Sequence, residues 1–483
     1  MKKILSIVAA FVALLLVESV SAQSNTSYFM EGSYFRTELN PALAPTRGYL
    51  ALPGMSGVGL NVENNFLSVD NFFYKRDNQV VTALNGQVSA DEFLGKLPEL
   101  GKIDINANVN ILGVGFYAKR MFWNFGINLR SQSDIALSKD LFTALKTLGN
   151  GTYDLPQTSL NSNNYLEVYL GSSFPVCKFI NVGVKAKFLV GLMNASATFD
   201  ELYADVQPEA VQARLRGTMR FSSPLINEAA VIPGSELTTD MIEVPGLLTR
   251  VKSFGAAIDL GTEIRLLDDH LRVSAAVTDL GFIKWSNTGA ATANVTAYAD
   301  FNGINFSNSD EEPLAGELKA TMGDTPESYT TMLRCALNVG VEYAILRNRI
   351  SFGLLSHTEF CNTLKYTELT ASVNFRPLNW LSATVSHTFL NHNKLGILGF
   401  ALNLHPAGFN LFVGADYIGM NWVRYESIPV PYDMKSVNVY AGLGFNLGKA
   451  KYMPSMQGKT KRANRLEKEK QSEKKDKPAE KKA

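Results

Sequence analysis

Beyond residue 17 the sequence has no long apolar run, and its 483 residues include only three cysteines, four tryptophans and five histidines. Each scarcity excludes something. A membrane-spanning helix needs about 20 consecutive apolar residues, so helical spans are ruled out after the first segment. Cys177, Cys335 and Cys361 show neither metal-ligand nor redox spacing, and their odd number implies no disulfide framework. They read as small apolar residues on strands or turns. His270, His357, His387, His392 and His405 build no catalytic motif: Ser386 and His387 are adjacent, and neighbours on a strand project to opposite faces. No phosphate loop or zinc spacing occurs, so no enzyme activity, cofactor or metal is expected. The net charge is +1 with much of the basic charge in the C-terminal tail, which leaves no nucleic-acid-binding surface.

What is present begins with an export signal. Lys2 and Lys3 form a positive start, Ile4 to Val17 an apolar stretch, and Val20-Ser21-Ala22 supplies small residues before Gln23. The apolar run stops at Glu18, too short to span a bilayer, so residues 1–22 read as a cleaved signal peptide. No cysteine follows the cleavage position, so lipidation is not indicated. At the other end, residues 449–483 turn to lysine and glutamate and read as a disordered periplasmic tail. Such a tail is either simply solvated or the docking segment for a periplasmic or secretion partner.

Between these ends the hydrophobic residues, 46% of the chain, are spread singly rather than in blocks. Lys102 to Asn110 reads K-I-D-I-N-A-N-V-N, with Ile103, Ile105, Ala107 and Val109 on one side of an extended chain. That alternation returns as far as Phe445. The strands expected from it are 48–62, 103–119, 123–135, 163–173, 180–198, 250–266, 270–284, 331–346, 349–360, 365–376, 380–390, 395–404, 409–420 and 436–447. They number about 14, an even count as bacterial barrels require. Gly 37, Phe 28 and Tyr 18 suit strands, bends and crowded walls. Short connections (120–122, 174–179, 267–269, 347–348, 377–379, 405–408) alternate with long ones (63–102, 136–162, 199–249, 286–330). Outer-membrane barrels have short periplasmic turns and longer outside loops, so this asymmetry places both termini in the periplasm. The expected fold is therefore all-β, a transmembrane antiparallel β-barrel over residues 48–448 in contact with outer-membrane lipid.

Faces follow strand by strand, because a spanning strand turns an apolar row to lipid and tolerates a polar row toward the lumen. Ile180, Val182, Val184, Ala186, Phe188 and Val190 form one apolar row, opposite Asn181, Gly183, Lys185 and Lys187. Phe254, Ala256, Ile258, Leu260, Ile264 and Leu266 form another, with Asp259, Glu263 and Arg265 turned inward. Val339, Val341, Tyr343 and Ile345 repeat it, as do Leu369, Ala371, Val373 and Phe375, and the closing row Val437 to Phe445. In 103–119 the phase changes near Leu112-Gly113, which predicts a bulge or glycine kink.

Three sequence patterns carry a resemblance. Arg36-Thr37-Glu38-Leu39-Asn40-Pro41-Ala42-Leu43-Ala44-Pro45, just ahead of the first strand, resembles the Asn-Pro-Ala hatch of FadL-like fatty acid transporters and the related PorV-type barrels of type IX secretion. Gly255-Ala256-Ala257-Ile258-Asp259-Leu260-Gly261 and Asp279-Leu280-Gly281-Phe282-Ile283-Lys284-Trp285 resemble paired strand motifs of that superfamily, and with Asn374-Phe375-Arg376-Pro377-Leu378-Asn379-Trp380 they most resemble an uncharacterised outer-membrane barrel family of Bacteroidota. Tyr440 to Leu447 resembles the closing-strand pattern read by the barrel-assembly machinery during biogenesis. A proline fixes one dihedral and lacks a donor, so Asn40-Pro41-Ala42 marks a rigid turn. The resemblance implies that residues 23–47 fold into the lumen as a plug, with Arg36, Asn40, Pro41 and Ala42 beside the substrate path. It implies a passive channel for a small hydrophobic ligand; a non-transporting, PorV-like docking platform is the alternative. The channel needs an apolar path beside the plug, whereas a platform can be filled by Lys185, Lys187, Asp259, Glu263 and Arg265 in ion pairs.

Overall fold

The computed structural model describes residues 25–450 apart from 54–56, 77–78, 148–150, 207–210, 226–233, 236–249, 288–289, 302–314, 324–326, 361–364, 391–392, 419–421, 426–427 and 432–434. The signal peptide and most of the charged tail lie outside the described residues, as do Cys361 and His392.

Fourteen antiparallel strands close into one barrel. They are β1, in two pieces Gly48–Ala51 and Val58–Asn64, then β2 Leu100–Ala118, β3 Met121–Ser138, β4 Gly151–Pro175, β5 Ile180–Val206, β6 Phe254–Leu266 and β7 Leu271–Trp285. The circuit continues through β8, in two pieces Tyr329–Met332 and Cys335–Ile345, β9 Ile350–Phe360, β10 Lys365–Leu378, β11 Leu381–Leu390, β12 Asn393–Leu404, β13 Phe409–Ile418 and β14 Ser436–Leu447. Each strand pairs with the next, and β1 pairs with both β2 and β14, which seals the cylinder. Among the described residues no helix is long and apolar enough to cross a membrane.

Alternation explains why this sequence closes this way. On β5 the exposed Phe188, at 52%, alternates with Lys185 and Lys187, which are buried at 0% and 4%. Exposed Leu170, Phe282, Phe352, Phe375 and Phe445 extend the belt around the outside. A water-soluble fold would bury such a band; a closed barrel in lipid exposes it while pairing every strand edge.

The expected first strand is corrected in one respect: it breaks between its two pieces, where Pro53 removes a ladder donor. β8 breaks too, at Leu333 and Arg334, whose side chains are both buried. The phase change expected on β2 is a bulge between Asn110 and Leu112. All four connections expected to be long loops carry secondary structure among the described residues. β4 and β5 continue past the barrel, and β5 pairs with Val211–Ser222, which pairs with Ala290–Phe301, which pairs with Ala315–Met322. Between β1 and β2, Phe66, Tyr74, Val88, Phe93 and Leu97 build a small core with Phe142 of the helix Lys139–Thr147.

The N-terminal segment, residues 25–47, lies inside the barrel. Tyr28, Met30, Arg36, Asn40 and Ala42 are each exposed by 1% or less, and their neighbours come from walls on every side of the lumen.

Candidate functional site

Asn40-Pro41-Ala42 seats against the inner wall in a notch made by two glycines. Gly183 of β5 and Gly261 of β6 are cross-strand partners. A Cβ on Gly183 would stand 2.1 Å from the carbonyl carbon of Pro41, and one on Gly261 would stand 2.1 Å from Asn40 Oδ1. Only glycine permits that approach. Asn40 shapes the turn, since its Oδ1 accepts from the Ala42 amide at 2.9 Å while its Nδ2 donates to the Tyr28 hydroxyl at 3.1 Å and to the Thr262 carbonyl at 3.3 Å. The Ala42 carbonyl accepts from Asn181 Nδ2 at 2.5 Å and from Ser173 Oγ at 3.1 Å. The turn is thus docked by a hydroxyl, a side-chain amide and a backbone carbonyl on three adjacent strands.

Deeper in the lumen the segment enters an ion network. Glu38 pairs with Lys185 at 3.2 Å and with Arg130 at 3.0 Å. Lys187 sits among Asp279 at 2.6 Å, Asp259 at 2.9 Å and Glu167 at 3.5 Å. Arg130 also reaches Glu167 at 3.4 Å. A second network holds the start of the segment: Glu31 pairs with Arg272, which pairs with Glu342 at 3.1 Å, which pairs with Arg376 at 2.6 Å. Arg376 Nη2 donates to the Phe29 carbonyl at 2.7 Å. Glu263 pairs with Arg265 at 2.5 Å, and fully buried Arg36 feels the charges of Glu263, Glu31 and Glu342. Groups this deeply buried persist as ions only when paired and hydrogen-bonded.

The opposite flank of the segment is aromatic. Tyr34 stacks on Tyr49 with ring centroids 4.3 Å apart, and Phe35 lies 4.3 Å from Phe412. Phe122 and Tyr440 complete this cluster.

Of the charged wall residues, Lys185, Lys187, Asp259 and Glu263 are buried and Arg265 is half-buried against Glu263; Lys185 meets Glu38 of the segment, and Arg36 of the segment lies in the field of Glu263. Sequence reasoning missed Glu167, Arg130, Arg272 and Glu342, although each lies on a polar row whose apolar neighbours are plain. Asp279 had no such signal. A register shift in the β6 and β7 ladder, with Asp279 at φ 58°, turns it inward beside Asp259, whose Oδ1 accepts its backbone amide at 2.8 Å. Bulges commonly re-aim a side chain in this manner. His387 and Ser386 part as expected, with Ser386 buried and His387 against Phe389 on the outside.

At the long-loop end lies a half-open cavity of about 750 Å³, lined by Leu100, Leu155, Pro156 and Phe199 together with polar Asp154 and Asp200. It borders the place where the β4 and β5 ladder skips between Asp154 and Thr158.

A family model described as a family of unknown function, DUF5723, matches residues 41–416. No curated protein matches the chain. Among solved structures, the toluene transporter TbuX of Ralstonia pickettii aligns at 8% identity over 89% of this chain and 99% of its own, with a TM-score of 0.43. The toluene transporter TodX of P. putida aligns at 9% identity over 85% and 93%, TM-score 0.38, and a FadL homologue of Pseudomonas aeruginosa at 9% over 89% and 99%, TM-score 0.33.

Proposed function

We propose that this chain, which belongs to the DUF5723 family, is a passive outer-membrane channel for small hydrophobic compounds, gated by its own N-terminal segment. The turn end faces the periplasm and the long-loop end faces outside. What carries the reading is how the segment is held: the Asn40-Pro41-Ala42 turn is fastened by hydrogen bonds that water can replace one for one, in a notch that only glycine leaves open. A turn kept by such contacts can leave its notch without unfolding the wall. The half-open cavity at the outer end, about 750 Å³ with Leu100, Leu155, Pro156 and Phe199 beside Asp154 and Asp200 on its walls, has the volume of a small-molecule site. Uptake of radiolabelled toluene by a bacterial host carrying the barrel, against the same host with an empty vector, tests it. Faster uptake with the barrel is expected, and equal rates sink the channel.

A second reading is supported by the ion pairs themselves. A lumen filled by Lys185, Lys187, Asp259, Glu263 and Arg265 with their partners suits a barrel that carries nothing and serves as a docking platform. Recovery of a stoichiometric secretion subunit from native membranes would put that reading first.

A further inference from the structure

The sheet that continues the wall beyond β5 carries a column of arginines. Arg214, Arg216 and Arg220 lie an even number of residues apart on the strand Val211–Ser222, so all three project from one face. That face is the inner one. Cross-strand partners share a face, and Ala136, Ser159, Thr198 and Thr218 form a single row across four strands, with Ala136 two residues beyond buried Asp134. Arg216 and Arg220 flank Thr218 in that row and are exposed, the Arg216 side chain by 55%. Two of the guanidinium groups are held by rings: Arg220 lies 4.0 Å over Tyr329 and Arg214 5.2 Å over Tyr203. Tyr329 is fixed in turn, donating its hydroxyl to Asn194 at 2.6 Å. Acid partners are scarce. Among the described residues Glu201 is the carboxylate in reach, 3.9 Å from Arg216, a separation at which an exposed pair contributes little. Arg214 and Arg220 pair with no carboxylate among the described residues, and Arg214 Nε is buried without a hydrogen-bond partner.

We infer that this column is a docking site for a polysaccharide chain of acidic sugars, whose carboxylates pair with Arg214, Arg216 and Arg220 and whose hydroxyls meet Thr198 and Thr218. Along a strand Arg216 stands about 7 Å from Arg214 and about 13 Å from Arg220, so a single small anion reaches one arginine where a chain of repeated charges reaches all three. The hydroxyls of Thr198 and Thr218 are exposed, 3.0 Å apart and set between Arg216 and Arg220, which suits a ligand that carries alcohols beside its acids. Other occupants fit less well. The face is turned to the lumen side, away from lipid headgroups. The strand is paired on both edges, with β5 and with Ala290–Phe301, so no peptide can add to it as a further strand. A single-stranded nucleic acid needs ring faces for its bases, and those of Tyr203 and Tyr329 already carry arginines. Asp154 and Asp200 edge the neighbouring cavity, and their charge keeps an acidic chain on the column and out of that cavity. The inference rests on the long-loop end facing outside, and not on transport.

The test titrates fluorescein-labelled polygalacturonate with the barrel purified from outer membranes in non-ionic detergent, at low salt, and follows the anisotropy. Saturable binding is expected. Arg216→Gln and Arg220→Gln together should weaken it about ten-fold or more, and both positions are exposed, so the wall should still fold. Arg220→Lys, which keeps the charge and loses the planar stack, should retain part of the affinity. Lys178→Gln, an exposed charge in the short turn at the opposite end, should change nothing. Unlabelled polygalacturonate should displace the probe at a sugar concentration where monomeric galacturonate does not. Absence of binding, an equal loss in Lys178→Gln, or displacement by polyglutamate or single-stranded DNA as effective as that by polygalacturonate each overturns the site. Intact host cells carrying the barrel should also bind the labelled chain, and binding in detergent that never appears on cells overturns the outward orientation and with it the source of the ligand.

Discussion

The two flanks of the N-terminal segment are held by different chemistries. Toward β1, β3, β13 and β14 the contact is a stack of rings, Tyr34 on Tyr49 and Phe35 on Phe412. Toward β3, β5, β7, β8 and β10 it is ionic, through Glu38 and Glu31. Ring packing is broad and tolerates a slide of an ångström or so, whereas a carboxylate between Lys185 and Arg130 tolerates almost none. The aromatic flank therefore supplies adhesion and the ionic flank supplies register. The glycine notch adds a third, purely steric condition.

Breaking the steric condition should have the largest effect. Gly183→Leu drives the Asn40-Pro41-Ala42 turn off the wall, because even a Cβ there collides with the Pro41 carbonyl. Planar-bilayer recordings should show a conductance that the parent protein lacks, and a silent variant would mean that the plug stays put. Removing the ionic centre comes next. Lys187→Met leaves Asp259, Asp279 and Glu167 with only the more distant charges of Lys185 and Arg130, at a cost of about 3–5 kcal/mol, to be measured by urea unfolding in detergent.

Acid should act through His405, which sits in the turn after β12 with its ring against Gly32 of the segment. Burial, helped by the charge of Arg47, pushes its pKa down to about 4 from 6.5. A depressed histidine contributes its full stability above pH 6.5 and loses it as the pH falls from 6.5 toward 4, on the order of 3 kcal/mol in all. Proteolysis of the segment should accelerate over that window, and His405→Phe should abolish the step. The smallest effect belongs to the aromatic flank: Tyr49→Leu removes one stacked pair for about 1 kcal/mol, without opening the pore. If it opened the pore as Gly183→Leu does, the division of labour between the flanks would fail.

Most of the barrel was legible because a strand's period of two writes inside and outside into consecutive letters. Lys185, Lys187, Glu263 and Arg265 could be assigned to the polar row before any pairing was known, and a slip in phase near Leu112-Gly113 announced the bulge that falls between Asn110 and Leu112. What stayed hidden depends on partners distant in sequence. Nothing near Glu31 indicates Arg272, and nothing near Glu38 indicates Arg130. Asp279 faces inward through a local register shift, and Arg334 through a break in β8, both of which interrupt the alternation that made the rest readable. The ordered sheet beyond β5 was also missed, since the pairing that joins Val211–Ser222 to Ala290–Phe301 bridges a long separation in sequence.

The seam of the cylinder joins β1 to β14, the earliest and the latest strands to be synthesised. A ribosome that stalls anywhere before Leu447 therefore releases a chain with two raw margins and no means of sealing them. Closure rests on the last strand, and any chain cut short of it keeps two edges of unpaired backbone groups.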